Sequence, residues 1–242
     1  MTMAKIVLGN IDKLDLHTTL EKVHVIESVD EFIAHEEGKI YVLEDKDEHV
    51  QAVINAEHEV YLPAGTLTAA YQCPNVKVYF DLENYTFYQK AKELIQKEKK
   101  PQGVLRFKRT TNQALNESLM TEDLYVLSKL LGEPIDVQVR QTNPSVLPVH
   151  VIIMINFGGG TMAHLEYTFT QTDEEHIEFE WSGVKNIIDF DSDALKPIQP
   201  DHSRNLALVH SVDSILQTAH ELNKERMDQL DHFKRLINGG AK

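Results

Sequence analysis

The stretch Val76–Arg109 reads strand, helix, strand, and no other part of the chain restricts the fold as much. Val76-Lys77-Val78-Tyr79-Phe80 is apolar and β-prone, and Asp81-Leu82-Glu83-Asn84 is turn-like. Helical spacing runs from Tyr85 to Lys100, and Gly103-Val104-Leu105-Arg106-Phe107 is a second β-prone run. Two strands joined through a helix make a βαβ unit, and the same rhythm extends back to the first residues. Strands are expected at Lys5–Gly9, Val23–Glu27, Lys39–Glu44, Glu59–Leu62, Val76–Phe80 and Gly103–Lys108. Helical runs are expected between them, at Ile11–Glu21, Val29–Glu37, Asp45–Ala56, Thr66–Tyr71 and Tyr85–Lys100. Ser28 with Glu31 forms a capping box, and Asp45 or Asp47 can cap a helix whose apolar face is Val50, Val53 and Ile54. The pattern predicts an α/β domain, a doubly wound and mostly parallel sheet with short connections. In such sheets ligands bind where strands end, so the tip Asp81-Leu82-Glu83 is the first place to look for a working residue.

The rhythm changes near residue 110. Thr110–Asn116 is polar, then Leu124, Leu127, Leu130 and Leu131 mark a helix that Gly132-Glu133-Pro134 ends. Long strands follow at Ile135–Thr142, Val149–Phe157, Met162–Thr170, His176–Trp181 and Asn186–Phe190. Gly158-Gly159-Gly160 and Ser182-Gly183 serve as turns. This half reads as an α+β domain with an open, mostly antiparallel sheet, closed by an interrupted helical region from Arg204 to Ile237. The expected domains are 1–110 and 111–242.

With 242 residues the chain can bury a sizeable core. Its net charge of −14 repels phosphate backbones and anionic lipid, which argues against nucleic acid and membrane surfaces as partners. No apolar run approaches the roughly 20 residues of a membrane span. Met1–Lys5 leads straight into a strand, so no signal peptide is expected, and the lone Cys73 fits a reducing cytoplasm. Beside Pro74, Cys73 reads as a small hydrophobe.

The order of parts resembles the glucose–fructose oxidoreductase / inositol dehydrogenase (Gfo/Idh/MocA) family. The likeness rests on Asp123–Pro134, on Phe157–Tyr167 with Asn156-Phe157-Gly158-Gly159-Gly160, on Glu178–Asp189 with Trp181-Ser182-Gly183, and on the late helix Asp231–Ile237. It implies a Rossmann-like first domain that binds NAD(P) and a substrate held between that domain and the open sheet. The reaction it implies is hydride transfer between a sugar or polyol carbon and the nicotinamide.

The three motifs that carry this chemistry in the family are altered here. Only Gly9 remains of the glycine-rich phosphate turn, followed by Asn10, Ile11, Asp12 and Leu14; Glu27 lies at the spacing of a ribose-binding acid. Asp81-Leu82-Glu83 replaces the Glu-Lys-Pro turn, so Leu82 stands at the position of the lysine that polarises the reacting oxygen. Ser118 and Glu122 occupy the positions of the Asp-x-x-x-His pair, with Asp123 and Tyr125 at the next family acid and its partner position. Glu122 suits a base or an ordinary first-turn helix acid.

Other constellations are weaker. His164 with Glu166, and His176 with Glu178 and Glu180, share strand faces and would form a His/carboxylate site if they met across a hairpin; a solvated sheet face explains them more simply, and no metal is expected. Arg106, Lys108 and Arg109 end a strand at the expected cleft, where with Glu122, Asp123 and Tyr125 they are candidates for holding a small ligand. The run Val149–Asn156 is apolar on both faces, which predicts a covered second face and a homo-oligomer. The expected function is therefore a catalytically silent relative that binds a small ligand or partner, with no cofactor. The alternatives are an oxidoreductase using NAD(P) or another cofactor in an atypical way on a sugar- or polyol-like substrate, and a hydrolytic or lyase-type enzyme reusing the cleft.

Overall fold

The computed structural model describes residues 4–19, 22–29, 39–54, 58–67, 73–98, 100–172, 175–193 and 208–239. The expected helix at Val29–Glu37, with Glu31 of the capping box, lies almost wholly outside them, as does most of Thr66–Tyr71. The chain divides into two compact units, one formed by residues 1–85 and 208–227, the other by 86–207 and 228–242.

The first unit is built on parallel strands β1 (Lys5–Leu8), β3 (Val23–Val25), β4 (Ile40–Leu43), β5 (Glu59–Pro63) and β6 (Val76–Tyr79). A short strand β14 (His220–Glu221) adds antiparallel to β6, giving the order β14-β6-β5-β1-β4-β3. The central strands are buried on both faces, as their unbroken apolar runs require. Ile6, Leu8, Leu43 and Leu62 pack on Val50, Val53 and Ile54 of helix α1 (Asp47–Ile54). Asp47 falls inside the first turn of that helix, beside Glu48.

The opposite face departs from expectation. Instead of a helix over Ile11–Glu21, the chain makes a single 3-10 turn, Ile11–Lys13, and a short strand β2 (Leu14–Asp15). The missing layer comes from the far end of the sequence. Strand β13 (His210–Ser211) pairs with β2, and helix α5 (Val212–Thr218) places Val212 and Ile215 against Val7, Val42, Tyr61 and Tyr79. The interrupted helical region thus contains two short strands before helix α6 (Lys224–Gly239).

The second unit is a six-stranded mixed sheet of β7 (Gly103–Asn112), β8 (Asp136–Gln141), β9 (Val149–Gly158), β10 (Thr161–Thr170), β11 (His176–Gly183) and β12 (Ile187–Asp191). Its order is β12-β11-β7-β10-β9-β8, antiparallel except where β7 runs parallel to β10. Strand β7 was expected as the sixth strand of the first sheet, with the boundary near 110; it is a central strand of the second sheet. The physical reason lies in its alternation. Leu105, Phe107, Arg109 and Thr111 are buried while Arg106 and Lys108 are exposed, the pattern of a strand covered on one face only.

Helix α2 (Asp81–Asn84) ends the first unit's crossing strand, and α3 (Thr86–Ile95) already belongs to the second. There Phe87 stacks on Phe190 at 3.9 Å and Tyr88 meets Phe179 edge-on. Helix α4 (Glu117–Leu131) is capped by Asn116, whose side chain accepts from the Leu119 N–H at 3.1 Å, and stops at Gly132 with φ 108°. Tyr125 of α4 packs edge-on against Phe233 of α6. No helix among the described residues is long and apolar enough to cross a membrane.

Candidate functional site

In the first unit the parallel strands end at Gly9-Asn10, Glu44-Asp45, Ala64 and Phe80-Asp81, the edge where a doubly wound sheet binds ligands. Gly9 has a local explanation. The Tyr79 hydroxyl donates to the Leu8 carbonyl at 2.7 Å, and a Cβ on residue 9 would lie 2.5 Å from that hydroxyl. Asn10 is spoken for as well, its Oδ1 accepting from the Asp12 N–H at 3.0 Å to cap the 3-10 turn.

Glu27 follows β3, which is the edge strand, so β4 stands between it and β1. The acid beside β1 is Glu44 instead, after the neighbouring strand, where the Gly9 N–H donates to Leu43 O at 3.0 Å. Glu44 pairs with Lys46 at 2.7 Å. Burial holds the Asp45 carboxyl above its usual range, aided by the nearby charges of Asp81 and Glu44 and opposed by Lys13.

The tip Asp81-Leu82-Glu83 forms helix α2. Leu82 is 1% exposed and belongs to the core. Its neighbours face two histidines that sequence reasoning missed. His210 Nε2 lies 3.8 Å from Asp81 Oδ1, with the imidazole buried beneath Tyr85 at 4.9 Å between ring centres. His220 Nε2 is 2.6 Å from Glu83 Oε2. Asn84 completes the seam, accepting from Ser214 at 2.9 Å and Thr218 at 3.0 Å. The chain thus returns along 208–227 to the tip, hydrogen-bonding Glu83 through His220 and setting His210 near Asp81. Nothing near either histidine in sequence announces this, because the partners lie more than a hundred residues away.

Of the six ligand candidates in the second unit, Arg109 and Asp123 meet in a buried pair, while Arg106 and Lys108 lie on the opposite, exposed face of the sheet. Arg106 pairs with Glu180 at 2.8 Å and Lys108 with Glu178 at 3.0 Å, both on the exposed sheet face. Arg109 points the other way and is buried, one guanidinium nitrogen reaching both oxygens of Asp123 at 3.0 and 3.1 Å, with Glu175 at 3.5 Å. The Tyr167 hydroxyl beside this pair is pushed well above its usual range, by burial first and then by the Asp123 charge. Ser118 is half-buried and Glu122 buried on α4, and Tyr125 is a core side chain. His164 and Glu166 do not meet His176, Glu178 and Glu180 across a hairpin, because β7 lies between β10 and β11; the two groups lie on the exposed sheet face, the simpler of the two readings.

No protein-family model and no curated protein sequence matches this chain. Solved structures do. The scyllo-inositol dehydrogenase from Lactobacillus casei, with bound cofactor NAD(H) and scyllo-inositol, is similar at TM-score 0.55 and 15% identity, covering 98% of this chain and 96% of that one. GenD2 from gentamicin A biosynthesis, in complex with NAD, is similar at TM-score 0.55 and 12% identity over 98% of this chain and 86% of that one. An oxidoreductase from Agrobacterium radiobacter in complex with NAD+, L-tartaric acid and magnesium is similar at 0.53 and 12% identity over 100% of this chain and 90% of that one. At these identities the likeness is one of fold. A parallel-dominant first sheet and a separate mixed sheet are the two-domain arrangement of the Gfo/Idh/MocA-type oxidoreductases.

Proposed function

We propose that this chain is a catalytically silent relative of the sugar and polyol dehydrogenases whose fold it shares, and that it binds a small ligand or a protein partner without a dinucleotide. The observation that carries this reading is the burial of Leu82. At the position where the resemblance puts the polarising lysine, the side chain is apolar and turned into the core. A leucine neither donates a proton nor stabilises a developing alkoxide.

The residues present do not fit an NAD(P) diphosphate. Such a group needs close backbone approach at a glycine turn and a helix N-terminus behind it. Here the space at Gly9 is taken by the Tyr79 hydroxyl. Asn10 spends its acceptor on the turn, and the helix is replaced by a 3-10 turn carrying Asp12. Glu44 stands where a ribose acid would, yet without a phosphate cradle it holds Lys46.

Titration of the purified protein with NADH and NADPH, followed by nicotinamide fluorescence, tests the proposal. No emission change is expected at micromolar cofactor. Saturable binding in that range would overturn the silent reading and restore an oxidoreductase with atypical cofactor use.

A further inference from the structure

We propose a divalent transition-metal site at His176, Asp191 and Asp193, at one corner of the second unit's sheet. His176 opens β11, and Asp191 ends the antiparallel strand β12. In the register of this pair Glu178 faces Asp191 and Glu180 faces Asp189. The same register carried one step further sets Asp193 opposite His176, so the three side chains share a face.

Their ligand atoms lie within 4.8 Å of one another. His176 Nε2 is 2.8 Å from Asp191 Oδ1 and 3.8 Å from Asp193 Oδ2. Ligand atoms about 2.0–2.1 Å from a tetrahedral zinc stand roughly 3.3 Å apart, so small rotations bring the set onto one ion. The backbone beneath is held in place. Ser192, fully buried between the two aspartates, donates its N–H to Ile177 O at 3.0 Å and accepts the Ile177 N–H on its hydroxyl at 3.1 Å. That exchange ties the Asp-Ser-Asp turn to the residue beside His176.

Glu178 and Glu180 are paired with Lys108 and Arg106, while Asp191 and Asp193 put two like charges, which repel, beside His176. A bound divalent ion offsets this repulsion. One imidazole and two carboxylates suit Zn2+ or Mn2+, with Zn2+ the tighter; an imidazole is a poor ligand for Mg2+ or Ca2+. Three protein ligands leave a position for water, and the site would act as a clip between the 191–193 turn and the start of β11.

The test uses the full chain, stripped with a chelator and titrated with Zn2+ by calorimetry and with Mn2+ by electron paramagnetic resonance. One equivalent of each ion is expected to bind, and His176→Gln and Asp193→Asn are each expected to weaken binding at least about tenfold. Asp193 is exposed, so its variant keeps the fold even if His176→Gln does not. Binding that is unchanged in Asp193→Asn would place the ion on other histidines and overturn the proposal. So would the lack of a one-to-one complex with either ion.

Discussion

At the scale of single residues, close approach between side chains separates positions that look functional from those that are. Gly9 is the clearest. In sequence it stands where the resembling family has a phosphate turn; in the fold it makes room for the Tyr79 hydroxyl. Gly9→Ala is therefore expected to cost about 1–3 kcal/mol in urea denaturation, through overpacking. In the Gly9→Ala/Tyr79→Phe double variant the loss should fall short of the sum of the two single losses by about 1 kcal/mol, because the clashing oxygen is gone. Strict additivity would show that Gly9 serves something other than Tyr79. Asp45 makes a second case, on charge. Its folded-state pKa is raised, so the folded protein holds the proton more tightly and loses stability as pH rises from the ordinary carboxylate value of about 3.9 through the higher folded value. The cost is full once the pH lies above the folded value. Asp45→Asn should then raise the melting temperature at pH 7 and lose that advantage below about pH 4, where the wild-type carboxyl is protonated. A variant equally or less stable at pH 7 would refute the assignment.

At the scale of elements, what could be read from sequence divides by how local its cause is. The four inner strands of the first sheet, helices α1 and α4, and the long strands β9, β10 and β11 follow apolar periodicity, which neighbouring residues set. The placement of β7 does not, because a strand's partners lie elsewhere in the chain. Leu105 and Phe107 alternate with Arg106 and Lys108, but Arg109 breaks that pattern and the strand–helix rhythm before it pointed to the first sheet. Arg109 shows what that placement does. On the covered face of β7 it meets Asp123 of α4, and both are nearly inaccessible, at 2% and 1% exposure. Removing one partner leaves an uncompensated buried charge, so Arg109→Met or Asp123→Leu alone should cost about 3–5 kcal/mol. The double variant should lose far less than the sum, because neither buried charge is then left without the other. Single losses under about 1 kcal/mol would mean that the pair does not hold α4 to the sheet.

At the scale of the whole molecule, one expectation from sequence becomes a proposal about assembly. Val104, Ile152, Met154, Met162 and Ile187 are exposed on one face of the second sheet, Met162 by 51% and Ile187 by 79%, and their registers put them on the same side. We propose that this face joins copies of the chain. Sedimentation of the purified protein should report a dimer or larger species, with Met162→Glu shifting it toward monomer; a wild-type monomer at micromolar concentration would refute this. The sequence by itself determined the two-part character of the chain, because strand–helix alternation and long alternating strands are local patterns with only a few compatible sheets. It also put Leu82 where the resemblance expects a lysine, and a leucine cannot act as an acid in any fold. The tertiary structure alone decided where the units divide, that α5 rather than a helix after β1 covers the first sheet, and that His210 and His220 meet Asp81 and Glu83. Each of those depends on segments far apart in the chain, and only burial and pairing in the folded state choose between them.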